Sequence, residues 1–95
     1  MESISSIFIY MVRLYTMKKC PFCDEMKNYL IEDKIPFMDI DIEEDGNKRE
    51  FNKICEVSKA DSVPILLVKN KILVPERSFK TIKEGFEITK KLLSE

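Results

Sequence analysis

Two cysteines three residues apart, in Met17-Lys18-Lys19-Cys20-Pro21-Phe22-Cys23, stand at the junction of two stretches with different hydrophobic periods. Ahead of them, Ile7 to Tyr15 is a nearly continuous apolar run, β-branched and aromatic, broken only by Arg13. That is the pattern of a strand covered on both faces. Behind them, Met26, Tyr29 and Leu30 follow Phe22 and Cys23 at spacings of three and four, while Asp24, Glu25, Lys27, Asn28 and Glu32 fill the other side. This predicts an amphipathic helix over Asp24 to Asp33, with two acidic residues near its positive end. A strand-to-helix turn at Cys20 puts Cys23 in the first helical turn and both sulfurs within disulfide reach. Pro21 suits the first helical position, since it has no N–H to leave unpaired and its φ is already set for a helix.

The start of a helix offers unpaired N–H groups and about half a positive charge to an anion placed there. A thiolate is such an anion, and Lys18 and Lys19 add two cations beside Cys20. The expected direction is a lowered pKa for Cys20 and a larger nucleophilic fraction at neutral pH. A C-x-x-C can also be half of a zinc site or a structural disulfide. Zinc usually takes four side chains, whereas this chain has no His and only one further cysteine, Cys55. Between a strand and a helix the pair reads as redox chemistry, with no metal.

A chain of 95 residues makes one domain and buries about 60–65% of its unfolded surface, enough for one two-layer core. Lys plus Arg number 16 against 17 Asp plus Glu, a net charge of −1, which gives no reason to expect nucleic acid or an anionic membrane as partner. Three cysteines are too few, and oddly numbered, for a secreted disulfide scaffold. A reducing, cytoplasmic setting is therefore expected. The apolar segment Ile7 to Val12 is preceded by Glu2 and followed by Arg13, so it fails as a signal peptide and falls far short of a membrane span.

Beyond the first helix, Lys34-Ile35-Pro36 is a stop, because the residue before proline is pushed out of the α region. Phe37 to Ile42 alternates, with Met38, Ile40 and Ile42 on one face and Asp39 and Asp41 on the other, and reads as a second strand. The acidic cluster of Asp41, Glu43, Glu44 and Asp45 lacks the ligand spacing of a calcium loop. It reads as a loop into a helix from about Lys48 to Ser58, capped by Asp45 or Asn47, with Phe51, Ile54, Cys55 and Val57 or Ser58 inward. Cys55 is expected as a small core-side residue, the alternative being a partly exposed thiol open to glutathionylation or intermolecular pairing. Val63-Pro64-Ile65-Leu66-Leu67-Val68 is a third strand that begins with proline. Lys69-Asn70-Lys71 is a hairpin turn with Asn70 at positive φ, and Ile72 to Val74 is a fourth strand ended by Pro75. Ser78 is the expected cap of a last helix through about Leu93, with Ile82, Phe86, Ile88 or Thr89, Leu92 and Leu93 inward. Gly85 is expected to weaken that helix by about 1 kcal/mol relative to alanine.

In this order of elements the chain resembles the glutaredoxins from about Val12 to Leu93. The resemblance rests on Tyr15-Thr16 ahead of the motif, on Cys20-Pro21-Phe22-Cys23, and on Ser62-Val63-Pro64 in the place of the usual Thr-Val-Pro. It implies an α/β, thioredoxin-like fold with a four-stranded mixed sheet flanked by three helices. Residues 11–95 form the expected domain, since Met11-Val12-Arg13-Leu14-Tyr15 looks like a normal start, and residues 1–10 a short extension or a longer first strand. Within it Cys20 is the attacking thiolate, Cys23 the more buried resolving thiol, and Pro64 a cis residue facing the disulfide. Val63 would present its backbone to glutathione or to an extended substrate. Lys18, Lys19, Pro21 and Phe22 are the other residues expected to support the site.

The implied activity is a glutathione-dependent thiol–disulfide oxidoreductase, monomeric, with glutathione as reducing co-substrate, no bound cofactor, and protein or mixed glutathione disulfides as substrates. Two departures stand out. The family usually has a lysine three residues before the first cysteine, where this chain has Met17. It also carries Gly-Gly and an acidic residue after the fourth strand, where this chain has Val74-Pro75-Glu76-Arg77-Ser78; here Arg77 or Ser78 is the candidate for a glutathione carboxylate. The second reading is a glutaredoxin-like electron donor, for example to ribonucleotide reductase, reduced by a thioredoxin reductase. A third, iron–sulfur cluster binding or scaffolding, is disfavoured by Pro21.

Overall fold

The first strand is buried because it has a neighbour on each side. The computed structural model describes residues 12–60 and 62–94, and in it β1 (Val12–Thr16) lies between β2 (Met38–Asp41) and β3 (Ile65–Val68), with β4 (Lys71–Leu73) on the outer side of β3. β1 runs parallel to β2 and antiparallel to β3, and β4 is antiparallel to β3. The helices are α1 (Pro21–Glu32), α2 (Asp45–Ser58) and α3 (Ile82–Leu93). This is the four-stranded mixed sheet with three helices that the resemblance implied. Residues 1–11 lie outside the described residues, and with them the expected extension and the start of the predicted first strand.

Alternation along β1 and β3 divides the core in two. Val12, Leu14, Leu66 and Val68 point to one face, where Met26 and Leu30 of α1 and Ile82 and Phe86 of α3 cover them. Tyr15 and Ile65 point to the other, with Phe51 and Ile54 of α2. The first layer is the drier: α1 and α3 bury several residues each, whereas no residue of α2 is fully buried. Tyr29 and Phe86 stack between α1 and α3 at 5.1 Å. Lys90 lies 5.4 Å over the Phe86 ring and 3.5 Å from Asp33.

A polar cluster joins β1 to α2. Arg13 donates to Glu50 at 2.6 Å and the Tyr15 hydroxyl donates to the same carboxylate oxygen. Burial alone pushes the Glu50 carboxyl up, but hydrogen bonds from Tyr15 and Arg13 and the Arg13 charge together outweigh it, so the net direction is down. Burial, then the bond to Glu50, raises the Tyr15 phenol. The hydrogen bond with Tyr15, and after it Glu50, raises Arg13 against its own burial.

Several boundaries differ from the sequence reading, each for a local reason. Helix α1 begins at Pro21 and ends in a Schellman turn, where Lys34 at φ 59° donates to Ile31 O and Ile35 N donates to Leu30 O at 2.9 Å. Those bonds satisfy the last carbonyls before Pro36 is reached. Helix α2 begins at Asp45, and neither Asp45 nor Asn47 caps it: Glu44 holds the cap position without a side-chain bond, while the Asn47 amide reaches back to Asp41 O at 2.9 Å. Cys55 is half-buried and Val57 exposed, while Ser58 turns its hydroxyl onto Ile54 O. The β3–β4 turn puts Lys69, not Asn70, at positive φ. Ser78 does not cap α3. Its hydroxyl accepts from Val74 N at 3.0 Å and closes the loop after β4, and Thr81 caps the helix by accepting from Glu84 N at 3.1 Å.

Gly85 serves packing. A Cβ there would lie 2.9 Å from Cγ of Phe79, a ring that is itself buried at the centre of the first layer. Alanine gains about 1 kcal/mol in helix propensity but forces the base of the ring aside, an overpacking cost of about 1–3 kcal/mol. Gly85→Ala is therefore expected to lower stability by about 1 kcal/mol, read as a lower urea midpoint. The Glu50 cluster sets a pH window. A carboxyl held below its ordinary 4.5 contributes stability that is lost as pH falls through the folded value, and a phenol held above its ordinary 10.0 contributes stability that is lost as pH rises through its own. Glu50→Gln should flatten the acid limb of a stability-versus-pH profile measured by urea unfolding.

Candidate active site

Cys20 is the N-cap of α1. Its backbone is extended, at φ −116° and ψ 99°, so its sulfur turns back over the first helical turn and accepts from the Cys23 N–H at 3.2 Å. The sulfur thus holds the place that a serine or aspartate oxygen holds at other helix starts. Pro21 follows as the first helical residue, and the Asp24 N–H closes onto Cys20 O at 3.0 Å. Cys20 and Cys23 are joined as a disulfide with Cα atoms 5.2 Å apart. The two differ in access, since Cys20 is half-buried and Cys23 is 0% exposed. Phe22 lies between them in sequence with its ring outward, 61% exposed.

The loop ahead of Cys20 is held from the side. Lys18 N donates to a Glu43 carboxylate oxygen at 2.9 Å, and Glu43 N donates to Asp41 at 2.9 Å. Ile42 N meets Thr16 O at 2.8 Å, so the ends of β1 and β2 stay together under the motif. Lys19 sits at φ 57° and is exposed, as is Lys18. Both flank Cys20 in water, where their fields are screened.

Across from the motif the Val63-Pro64 bond is cis, and Pro64 is buried. Strand β3 starts one residue after Pro64, at Ile65. Among the described residues nothing hydrogen-bonds the Val63 main chain. Val63 borders two depressions. One, of about 340 Å³, is lined by Lys19, Cys20, Pro21 and Ile42; the other, of about 300 Å³, by Phe22, Pro64, Phe79 and Ile82. The structure thus gathers Lys19, Cys20, Pro21, Phe22, Val63 and Pro64 at one end of the sheet.

Arg77 and Ser78 line neither depression. The Arg77 guanidinium donates to the Ser58 and Lys59 carbonyls at 2.5 and 3.0 Å, tying the loop after β4 to the end of α2, and Ser78 is used within its own turn. Sequence reasoning missed Glu25, Glu43, Glu76, Phe79 and Lys80 around the motif. One signal was available: Thr81 with Glu84 three residues on has the form of a capping box, which places the start of α3, and hence Phe79 and Lys80, beside the cis proline. Among the described residues no group of three or more His, Cys, Asp or Glu is placed to hold a metal ion, and no helix is long and apolar enough to cross a membrane.

An accessible sulfur at a helix start, with a second one buried behind it, is equipped for thiol–disulfide exchange. The frame that carries it is thioredoxin-like: a thioredoxin-like protein crystallised as a point mutant superposes with a TM-score of 0.66 at 18% identity, over 88% of this chain and 95% of that one. The glutaredoxin of Archaeoglobus fulgidus gives a TM-score of 0.66 at 20% identity over 97% and 95%. The class is that of thiol–disulfide oxidoreductases. Within it the chain belongs to the glutaredoxin family, whose model matches residues 12–73. It is also 31% identical over 64 residues to an uncharacterized glutaredoxin-like 8.6 kDa protein of the rubredoxin operon of Clostridium pasteurianum, a match covering 67% of this chain and 83% of that protein.

Proposed function

We propose that the chain uses the Cys20/Cys23 dithiol to reduce protein disulfides and mixed disulfides with glutathione, and that glutathione regenerates it. The observation that carries this reading is the unequal burial of the two cysteines, with Cys20 half-buried on the lining of a depression and Cys23 wholly buried. Membership of the glutaredoxin family supports glutathione as the reductant, and a reducing cytoplasm is the setting in which such a dithiol is recharged.

The reaction proceeds in displacements at sulfur. The Cys20 thiolate attacks one sulfur of the substrate disulfide; a Cys20–substrate disulfide forms and the other substrate sulfur leaves as a thiolate that takes up a proton. Cys23 loses its proton and attacks the Cys20 sulfur, the substrate's second sulfur leaves, and the Cys20–Cys23 disulfide is complete. Two electrons have passed to the substrate. Two glutathione thiols then reverse the sequence and depart as glutathione disulfide. A glutathionylated substrate needs only Cys20, which takes the glutathionyl group and yields it to a second glutathione. No His exists to act as base, so the N–H groups at the start of α1 carry the activation of Cys20.

A second reading has its own observation. The loop after β4 lacks the family's Gly-Gly, and Arg77 and Ser78, the residues expected to meet a glutathione carboxylate, are engaged within the protein. That favours an electron donor, for example to ribonucleotide reductase, recharged by a thioredoxin reductase. Oxidised protein assayed by NADPH consumption separates the two. Glutathione with glutathione reductase is expected to sustain turnover of a protein disulfide; turnover with thioredoxin reductase alone would establish the second reading. Cys20→Ser should abolish all activity, and Cys23→Ser should abolish reduction of protein disulfides while leaving removal of glutathione from a mixed disulfide.

A further inference from the structure

The two depressions that meet at Val63 carry opposite charge. On the Cys20 side the one charged side chain in the lining, among the described residues, is Lys19, with Lys18 next to it in the chain. On the Phe22 side the floor is apolar, from Phe22, Pro64, Phe79 and Ile82, and the rim carries Glu25, Glu76 and Lys80, one negative charge net. Glu25 extends from the second turn of α1 and Glu76 from the loop after β4, so two separate elements each bring an acid to the same hollow. Among the described residues neither carboxylate has a hydrogen bond or an ion pair, and the fold makes no use of them.

Glu76 stands at φ 75°, a conformation in which glycine is the easy residue. Its backbone is fixed there: Glu76 N donates to Phe79 O at 2.8 Å, and the neighbouring Arg77 is clamped to the end of α2. A charged side chain is thereby carried on the lip of the hollow. Phe22, whose ring is 61% exposed, supplies an apolar wall between that lip and the cysteines. An apolar hollow with an acidic rim, entered beside a sulfur whose other flank is basic, is complementary to a polypeptide of defined polarity.

We propose that Glu25 and Glu76 determine substrate choice. They select disulfides in which the exchanging cysteine lies in an extended segment, with an apolar residue followed by a basic one on the Phe22 side, and acidic character toward Lys18 and Lys19. The proposal rests on the thiol–disulfide exchange described above and names the substrate class of that same site. Cationic segments are drawn to the acidic rim and the apolar residue fills the hollow. Anionic segments meet Glu25 and Glu76 unscreened at low salt.

The test is single-turnover exchange between dithiothreitol-reduced protein and peptides carrying one cysteine as a mixed disulfide with 2-mercaptoethanol. Two peptides of identical composition are compared. Each has phenylalanine beside the cysteine; in one, lysine follows the phenylalanine and glutamate closes the other end, and in the second these charges are exchanged. Both are made in each chain direction. The wild type is expected to favour the first arrangement by about five-fold in one direction, the scale of one or two exposed ion pairs, and the ratio should decline toward one in 0.5 M salt, where the screening length is about 4 Å. In E25Q/E76Q the ratio should fall toward one, any remainder being the share of Lys18 and Lys19 on the other flank, whereas Glu56→Gln, on α2 away from the hollow, should retain the full wild-type ratio. A ratio of one or below in the wild type, in both directions, overturns the selectivity. So does a ratio that is undiminished in E25Q/E76Q. Exchange with bis(2-hydroxyethyl) disulfide, which offers no charge to either depression, reads the Cys20 chemistry alone: its absence would contradict the proposed function instead.

Discussion

The N–H of Cys23 points at the sulfur of Cys20 across 3.2 Å, and the rest of the molecule is arranged so that it does. For the sulfur to cap the helix, β1 must end just before it and α1 must begin at Pro21. Both conditions are met by buried residues, Leu14, Tyr15 and Thr16 on one side and Cys23, Met26 and Leu30 on the other. When the pair is reduced, the same N–H meets a thiolate, and a hydrogen bond to an ionised acceptor is roughly twice as strong as one to a neutral acceptor. The preference of a helix start for an anion amounts to about 0.3–2 kcal/mol, against 1.36 kcal/mol for each pKa unit. Its direction is to lower the Cys20 pKa. Lys18 and Lys19 are solvent-exposed and count for less, because water and salt screen them. The backbone, placed by the core, is therefore the larger activator.

The asymmetry of the core follows the same logic. The layer between the sheet and the α1/α3 pair is tightly filled, down to a glycine at position 85 that leaves room for Phe79, and it fixes the end of α1 that carries the chemistry. The opposite layer is held as much by polar contacts as by burial. Glu50 of α2 receives Arg13 and Tyr15, and Arg77 grips the last carbonyls of that helix. The loop after β4 is thereby bound to the scaffold, which leaves its Glu76 poised over the hollow beside Pro64.

Periodicity and turn chemistry made most of this legible. The change from a continuous apolar run to a stripe at spacings of three and four located β1, α1 and the cysteines between them, and the proline at position 64 marked the start of the third strand to within one residue. What could not be read were features set by distant partners. Nothing near Asn47 announces that its amide is drawn back to Asp41 O, which moves the start of α2. Ser78 has the chemistry of a cap, and only the position of Val74 shows that it closes a turn instead. Gly85 looked like a weak point in a helix until Phe79 was placed against it. Arg77 and Ser78 stand where the family carries an acidic residue after its Gly-Gly, but Arg77 reaches the carbonyls that end α2 and Ser78 closes its own turn, contacts that no local pattern announces.

The central claim is that the start of α1 keeps the Cys20 sulfur ionised. The most direct measurement is the pH dependence of the rate at which Cys20, identified by peptide mapping, is alkylated in the folded, reduced protein. A helix start that holds the thiolate requires a midpoint below the value near 8.5 of a free cysteine. A midpoint at 8.5 or above would contradict it.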